Sequence, residues 1–231
     1  MKSADSRPAE FSLDCGKVAA LCGSNSSLRQ TLDARGWASV SAIPQRAFMD
    51  LVRELGVVGE TTRLTPRDSS QAGRASLSGR HGLAEFPFHT DGASRHHPPA
   101  YVALWSARPW KTATLLLDGS ADTLNIPVFS RSWVVSVGGS QGRFYAIPRL
   151  RIRGQVSWRL NTDCMSPAVG VFDGADLHRR FQAAEPVRLA WSADSAVIID
   201  NRRILHSREA ISAGEADREL LRVEVLDDMV R

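Results

Sequence analysis

Residues 101–117, YVALWSARPWKTATLLL, contain two short apolar runs, Tyr101–Ser106 and Thr112–Leu117, with Pro109 in the interval between them. Each run has the length of a strand, and the interval reads as a turn. The same texture continues to the end of the chain: Ser132–Val137, Arg143–Ile147, Gln155–Leu160, Val187–Trp191, Ala196–Asp200 and Leu220–Leu226 read as further strands divided by turn residues. Strands at this density predict a sandwich or barrel. A doubly wound α/β sheet would need strands alternating regularly with long helices, and no glycine-rich phosphate loop follows any of these strands. Ala175–Gln182 reads as a helix crossing between two of them.

Upstream the pattern is helical. Ser27–Arg35 predicts a short helix closed by Gly36, followed by an apolar strand, Trp37–Ile43. Pro44 opens a second helix that ends at Gly56. Its Phe48, Leu51, Val52 and Leu55 fall at i, i+3, i+4 and i+7, a stripe that packs on a sheet. Residues 1–26 are expected to be loose or peripheral. With 231 residues, 43% of them hydrophobic, and no repeat or long linker, the expectation is one domain spanning 1–231.

Composition narrows the classes of function. No segment approaches the roughly 18 uninterrupted apolar residues of a membrane span, and the start, MKSADSRPAEF, has no apolar run after its charges; the expected location is the cytoplasm. Three cysteines, Cys15, Cys22 and Cys164, without a C-x-x-C pair suggest neither a disulfide framework nor a thiolate zinc site. The formal charge of +4 comes from basic residues spread along the chain, so it does not by itself indicate nucleic acid.

Three segments carry chemistry. In Glu85-Phe-Pro-Phe-His89-Thr90-Asp91-Gly92, a histidine and a carboxylate sit two apart, and residues i and i+2 of extended chain face one side. Alone, an H-x-D pair is a weak signal. In Ala196-Val-Ile-Ile-Asp200-Asn201-Arg-Arg-Ile-Leu-His206, an apolar strand and a polar turn deliver a second histidine. Two histidines and one carboxylate on one face of an octahedron leave three positions open, a set suited to iron(II). In Asp217-Arg218-Glu-Leu-Leu-Arg222, alternation points Arg218, Leu220 and Arg222 to one side. Two guanidinium groups directed inward are costly unless they meet carboxylates, whose geometry the arginine fork matches. The plainer alternative is a solvated edge strand with Glu219 and Glu224 as partners.

In this order the segments resemble the taurine dioxygenase branch of the iron(II)/2-oxoglutarate oxygenases: HTDG at 89–92, Pro98-Pro99 close behind, DNRRILH at 200–206 and R-x-x-x-R at 218–222. The resemblance runs from about Trp37 to the C-terminus. It implies a mainly β fold with flanking helices, a double-stranded β-helix (jelly roll, cupin-like). It further implies iron(II) held by His89, Asp91 and His206, and 2-oxoglutarate as cosubstrate, its distal carboxylate bridged to Arg218. Thr114 is implied as the hydroxyl that assists this arginine, with Thr112 on the same face as its substitute. Arg222 matches a position that contacts an acidic group of the substrate in some members.

The activity so implied converts 2-oxoglutarate and dioxygen to succinate and carbon dioxide while a small polar molecule, such as an amino acid or natural-product intermediate, is hydroxylated, desaturated or cyclised. Halogenases of the superfamily carry Gly or Ala where Asp91 stands, which argues against halogenation. Arg74, Ser76, Arg95, His96, His97 and Arg159 are further candidates for the substrate pocket, whereas His81 and His178 read as ordinary. The short stretch from Gly92 to Thr114 suggests a reduced lid. Two alternatives stand beside this reading. Nucleic-acid demethylases of the superfamily resemble R-x-x-x-x-x-R and place it farther from the distal histidine, so nucleic acid is not expected as a partner. A non-catalytic metal-binding jelly roll would have no use for the cosubstrate arginine.

Overall fold

Val102 and Leu104 point to one face of their strand and Ala103 and Trp105 to the other, and all four are buried. A strand that is apolar on both sides is covered on both sides. In the computed structural model, which describes residues 25–73, 76–137, 142–152, 154–170 and 173–227, that strand is central to the larger of two facing sheets. Arg74 and residues 1–24 lie outside the described residues.

In chain order the elements are α1 (Asn25–Arg35), β1 (Trp37–Val40), α2 (Gln45–Arg53), β2 (Val57–Leu64), α3 (Leu77–His81), β3 (Tyr101–Ser106), β4 (Trp110–Asp118), β5 (Trp133–Ser136), β6 (Arg143–Ala146), β7 (Arg149–Ile152), β8 (Gln155–Trp158), β9 (Met165–Pro167), α4 (Gly174–Ala183), β10 (Val187–Trp191), β11 (Ser195–Asp200), β12 (Ile204–Arg208) and β13 (Leu220–Leu226). The larger sheet is antiparallel throughout, in the order β1-β11-β3-β13-β2. The smaller has the order β10-β4-β12. Along the free side of β12 runs the segment 86–89, where His89 and His206 exchange both backbone hydrogen bonds at 2.9 Å.

Between the sheets lies a core of Val102, Leu104, Val197, Ile199 and Leu220 from the larger sheet against Leu116, Trp191 and Ile204 from the smaller. Helices α1 and α2 cover the outer face of the larger sheet through Leu28, Leu32, Phe48 and Val52. Leu115, Leu117 and Leu205, on the outer face of the smaller sheet, pack with Phe129, Trp133 and Phe181. Two antiparallel sheets packed face to face in this way are a jelly roll. No described helix is long and apolar enough to cross a membrane.

The strands Val187–Trp191 and Leu220–Leu226 have the expected bounds, and the helical stripe Phe48, Val52, Leu55 is buried. β1 stops at Val40, short of Ile43, because the chain turns through Ala42 at φ 51° toward Pro44. Two differences bear on the site. His206 does not merely follow a turn; it lies on a strand, β12, paired with β4. β13 is not an edge strand either, since β3 and β2 flank it, and Glu219 pairs with Arg63.

Candidate metal centre

His89, Asp91 and His206 are all buried, and one ligand atom from each lies within 4.8 Å of the others. Asp91 Oδ1 is 3.5 Å from His89 Nε2 and 3.6 Å from His206 Nε2. Such spacing suits donors arranged around one ion: bonds of about 2.1 Å at right angles separate their donor atoms by about 3 Å. His89 Nδ1 is 2.9 Å from the Pro87 carbonyl, a contact that holds the ring with Nε2 turned toward Asp91.

The backbone of this motif is tied on both sides. Asn201 Oδ1 accepts from the Asp91 N–H at 2.8 Å, and its Nδ2 donates to the carbonyls of Asp91 at 3.0 Å and Pro99 at 2.9 Å. Thr90 N–H donates to the Leu160 carbonyl at 2.7 Å, and Thr90 Oγ1 accepts from Leu160 N–H at 3.0 Å. Gly92 then turns the chain at φ 67°, where a Cβ would meet Pro99 Cδ at 2.8 Å. Asn201→Ala is expected to leave the buried Asp91 amide unpaired, lowering stability by about 1–3 kcal/mol. It should also loosen metal binding by roughly 10–100-fold, as loss of an outer partner does. Chemical denaturation and metal titration check the two effects.

Burial alone would raise the Asp91 pKa, but hydrogen bonds from His206 and His89 and the nearby charge of Arg222 hold it well below the usual carboxylate range. Burial and the neighbouring His89 push His206 down, outweighing the pull of Asp91. The folded chain thus favours neutral His206. Its stability should be full above the ordinary imidazole value near 6.5 and fall as pH drops below it, with Asp91 adding its own loss only at more acidic pH. Urea midpoints of metal-free protein at pH 7.5 and 5.5 test this; equal midpoints would contradict it.

Arg222 reaches into the same site. Its Nη1 is 3.3 Å from Asp91 Oδ2, and its Nη2 lies 3.5 Å from Glu60 and 3.6 Å from Glu224. Arg95, a candidate for the substrate pocket, pairs with Glu60 at 2.9 Å and with Glu224. Glu60 was not marked by any motif. β2, which carries it, is a half-exposed strand of mixed polarity, VVGETTRL, and the apolar alternation that reveals strands is missing there.

Arg218 is only 4% exposed, and its Nε and Nη2 have no hydrogen-bond partner among the described residues. Burial lowers its pKa to about 10, opposed only by the charge of Glu215. Glu215 is itself engaged, accepting from Thr112 Oγ1 at 2.6 Å and from the backbone N–H groups of Lys111 and Thr112. Thr112 is therefore committed to Glu215. Thr114, on the same face, accepts from Trp191 Nε1 at 3.3 Å, and its own hydroxyl proton has no acceptor among the described residues.

The other candidates lie further out. Arg159 donates to the His96 carbonyl at 2.9 Å and sits 5.5 Å from the Phe144 ring, on which His96 stacks at 4.7 Å. Together with His97 and Asn201 they line a cavity of about 600 Å³. Ser76 is the N-cap of α3, accepting from Gly79 N–H. His81 pairs with Asp163 at 2.8 Å, and His178 lies exposed on α4.

No family model matches the chain, and no curated protein does. Solved structures do match. An asparagine oxygenase in complex with Fe(II), 3-hydroxyasparagine and succinate superposes with a TM-score of 0.71 at 18% identity, over 90% of this chain and 79% of that one. The non-heme iron oxygenase OrfP, in complex with Fe and α-ketoglutaric acid, gives 0.65 at 17% identity, over 92% and 80%. PvcB from Pseudomonas aeruginosa gives 0.62 at 16%, over 86% and 78%. The chain thus has the jelly-roll fold of the iron oxygenases. Within that fold it brings together a buried set of two histidines and one carboxylate.

Proposed function

We propose that the chain is an iron(II)- and 2-oxoglutarate-dependent oxygenase that hydroxylates a small amino acid. The observation that carries this reading is Arg218, a buried guanidinium to which no carboxylate is hydrogen-bonded among the described residues, four residues before the arginine that touches Asp91. A buried charge without a bonded counter-ion costs several kcal/mol, and a ligand carboxylate would offset that cost. The distal carboxylate of 2-oxoglutarate meets the requirement, received by the Arg218 fork and by the Thr114 hydroxyl, which would donate to it while accepting from Trp191. The iron would be held by His89 Nε2, His206 Nε2 and Asp91 Oδ1, three ligands that leave room for a bidentate cosubstrate and dioxygen.

Bound iron with 2-oxoglutarate and dioxygen supplies an oxidant able to insert oxygen into a C–H bond: 2-oxoglutarate, O₂ and R–H become succinate, CO₂ and R–OH. The protein orients the substrate. Arg222 and Glu60 set a cation and an anion 3.5 Å apart beside Asp91, a pattern complementary to the carboxylate and ammonium of an α-amino acid. Asparagine oxygenase and OrfP, bound to hydroxyasparagine and hydroxy-L-Arg, share the fold and support that substrate class. Arg159 and its cavity would face the remainder of the substrate, and Arg74 remains a candidate for the same role.

Anaerobic addition of 2-oxoglutarate to the Fe(II) protein should give a visible charge-transfer band, and amino acids screened one by one should include one that stimulates succinate release. Iron binding without such a band would sink this reading and favour a metal-binding jelly roll without catalysis.

A further inference from the structure

We propose that the substrate is an amino acid whose far end carries an anion, a carboxylate or a phosphate, and that Arg159 selects for it; this deepens the function proposed above and rests on it. The cavity that Arg159 lines adjoins the metal motif at two points. Asn201, also in its wall, holds the backbone of Asp91, and Leu160, the residue after Arg159, is bonded in both directions to Thr90. His96 forms another part of the wall and directly follows Arg95, which is paired with Glu60. A substrate held at its α-carbon by Arg222 and Glu60 therefore has this cavity beside it for the side chain.

The guanidinium of Arg159 is fixed by neutral groups. Its Nη2 donates to the His96 carbonyl at 2.9 Å, and its Cζ lies 5.5 Å from the centre of the Phe144 ring, on which His96 stacks. These contacts orient the charge without cancelling it. No carboxylate among the described residues is bonded to it: Asp227, the one acidic residue among those lining the cavity, is paired with Arg202. Partial burial lowers the Arg159 pKa, since the charged form loses water that no counter-ion replaces.

The strands around the cavity carry charge of the same sign. Between Asp122 and Asp163 the sequence has six arginines and no aspartate, glutamate or lysine. That stretch supplies β6, β7 and β8, and with them Phe144, Ala146, Leu150, Ser157 and Trp158 of the wall. Arg143 and Arg151 lie exposed on those strands. A cavity bordered by one sign of charge favours an occupant of the other and disfavours one of its own.

The probes are aspartate, glutamate and O-phosphoserine, each set against its uncharged counterpart, asparagine, glutamine or serine, with lysine as the opposite charge. Dissociation constants are measured by calorimetry on anaerobic Fe(II) protein loaded with 2-oxoglutarate. At least one acidic probe should bind about tenfold more tightly than its counterpart, the order of one partly screened charge, and should stimulate succinate release. The larger ratio, among carboxylates or for the phosphate, tells which anion the cavity takes. Arg159→Gln should abolish that preference, and Arg159→Glu should turn it toward lysine.

Arg159 also ties the segment after β8 to the loop at 92–97, a purely structural task. If it does only this, acidic and neutral probes weaken by the same factor in both variants and the ratio holds, which overturns the proposal. A wild-type protein without preference for any acidic probe overturns it too, a result that needs no variant to fold. Absence of the charge-transfer band in wild-type protein overturns the proposed function and this inference with it, whereas a normal band without a charge preference overturns this inference alone.

Discussion

His206→Ala should lower Fe(II) affinity by more than about 100-fold, since removing outer partners of a metal ligand alone costs roughly 10–100-fold. The site would keep one imidazole and one carboxylate, too few donors to hold the ion against water. Folding should survive the change. The strand carrying residue 206 is paired through its backbone, to β4 on one side and to His89 on the other, and none of those bonds uses the imidazole. His206 Nδ1 is itself a buried atom without a hydrogen-bond partner among the described residues, so truncation removes an unsatisfied group along with the side-chain packing. Calorimetric titration of Fe(II), or Mn(II) as a redox-stable substitute, together with the anaerobic band, provides the check. Wild-type-like binding in His206→Ala would exclude His206 as a ligand.

The second large effect is expected at Arg218. Arg218→Met should weaken 2-oxoglutarate binding by about 2–5 kcal/mol, on the order of 30-fold or more, because the cosubstrate's carboxylate would be left without its charged partner. Stability should move the other way or not at all. This guanidinium is desolvated and no carboxylate among the described residues is bonded to it, so an apolar side chain of similar length removes a cost. A role in structure alone predicts the reverse pattern, a lowered denaturation midpoint with cosubstrate affinity intact. Measuring both quantities on one variant therefore separates a binding residue from a packing residue.

The parts of the fold that were legible in the sequence are those with one strong local signal. Continuous apolar runs such as Val197–Ile199 announce a strand buried on both faces, and the 3.6-residue stripe of α2 announces a helix lying on a sheet. β2, β7 and β9 were not legible. β7 is Arg149–Ile152, half of it arginine, and β9 spans only Met165–Pro167; each exists through its partner strand and has no pattern of its own. The site divides along the same line. His89, Asp91, His206, Arg218 and Arg222 stand out because their types and spacing are unusual together. Glu60 is an ordinary acidic residue in sequence, and the pairing of β2 with β13 brings it to Arg222, whereas Glu224 lies two positions along the same strand as Arg222. Thr114 and Thr112 were equivalent by alternation, and it is the capture of Thr112 by Glu215, from a loop a hundred residues away, that distinguishes them.

The paired backbones of His89 and His206 have a consequence for motion. Two hydrogen bonds hold the outermost segment of the smaller sheet at the point where its two imidazoles meet. An ion bound by both side chains would act as a rivet across that seam, so that the segment could not peel away without first releasing the metal. Amide exchange at His89 and His206 would then slow sharply on metal loading while exchange on β13, enclosed between two neighbours, hardly changes. The seam would serve as an internal gauge of occupancy, readable before any substrate is known.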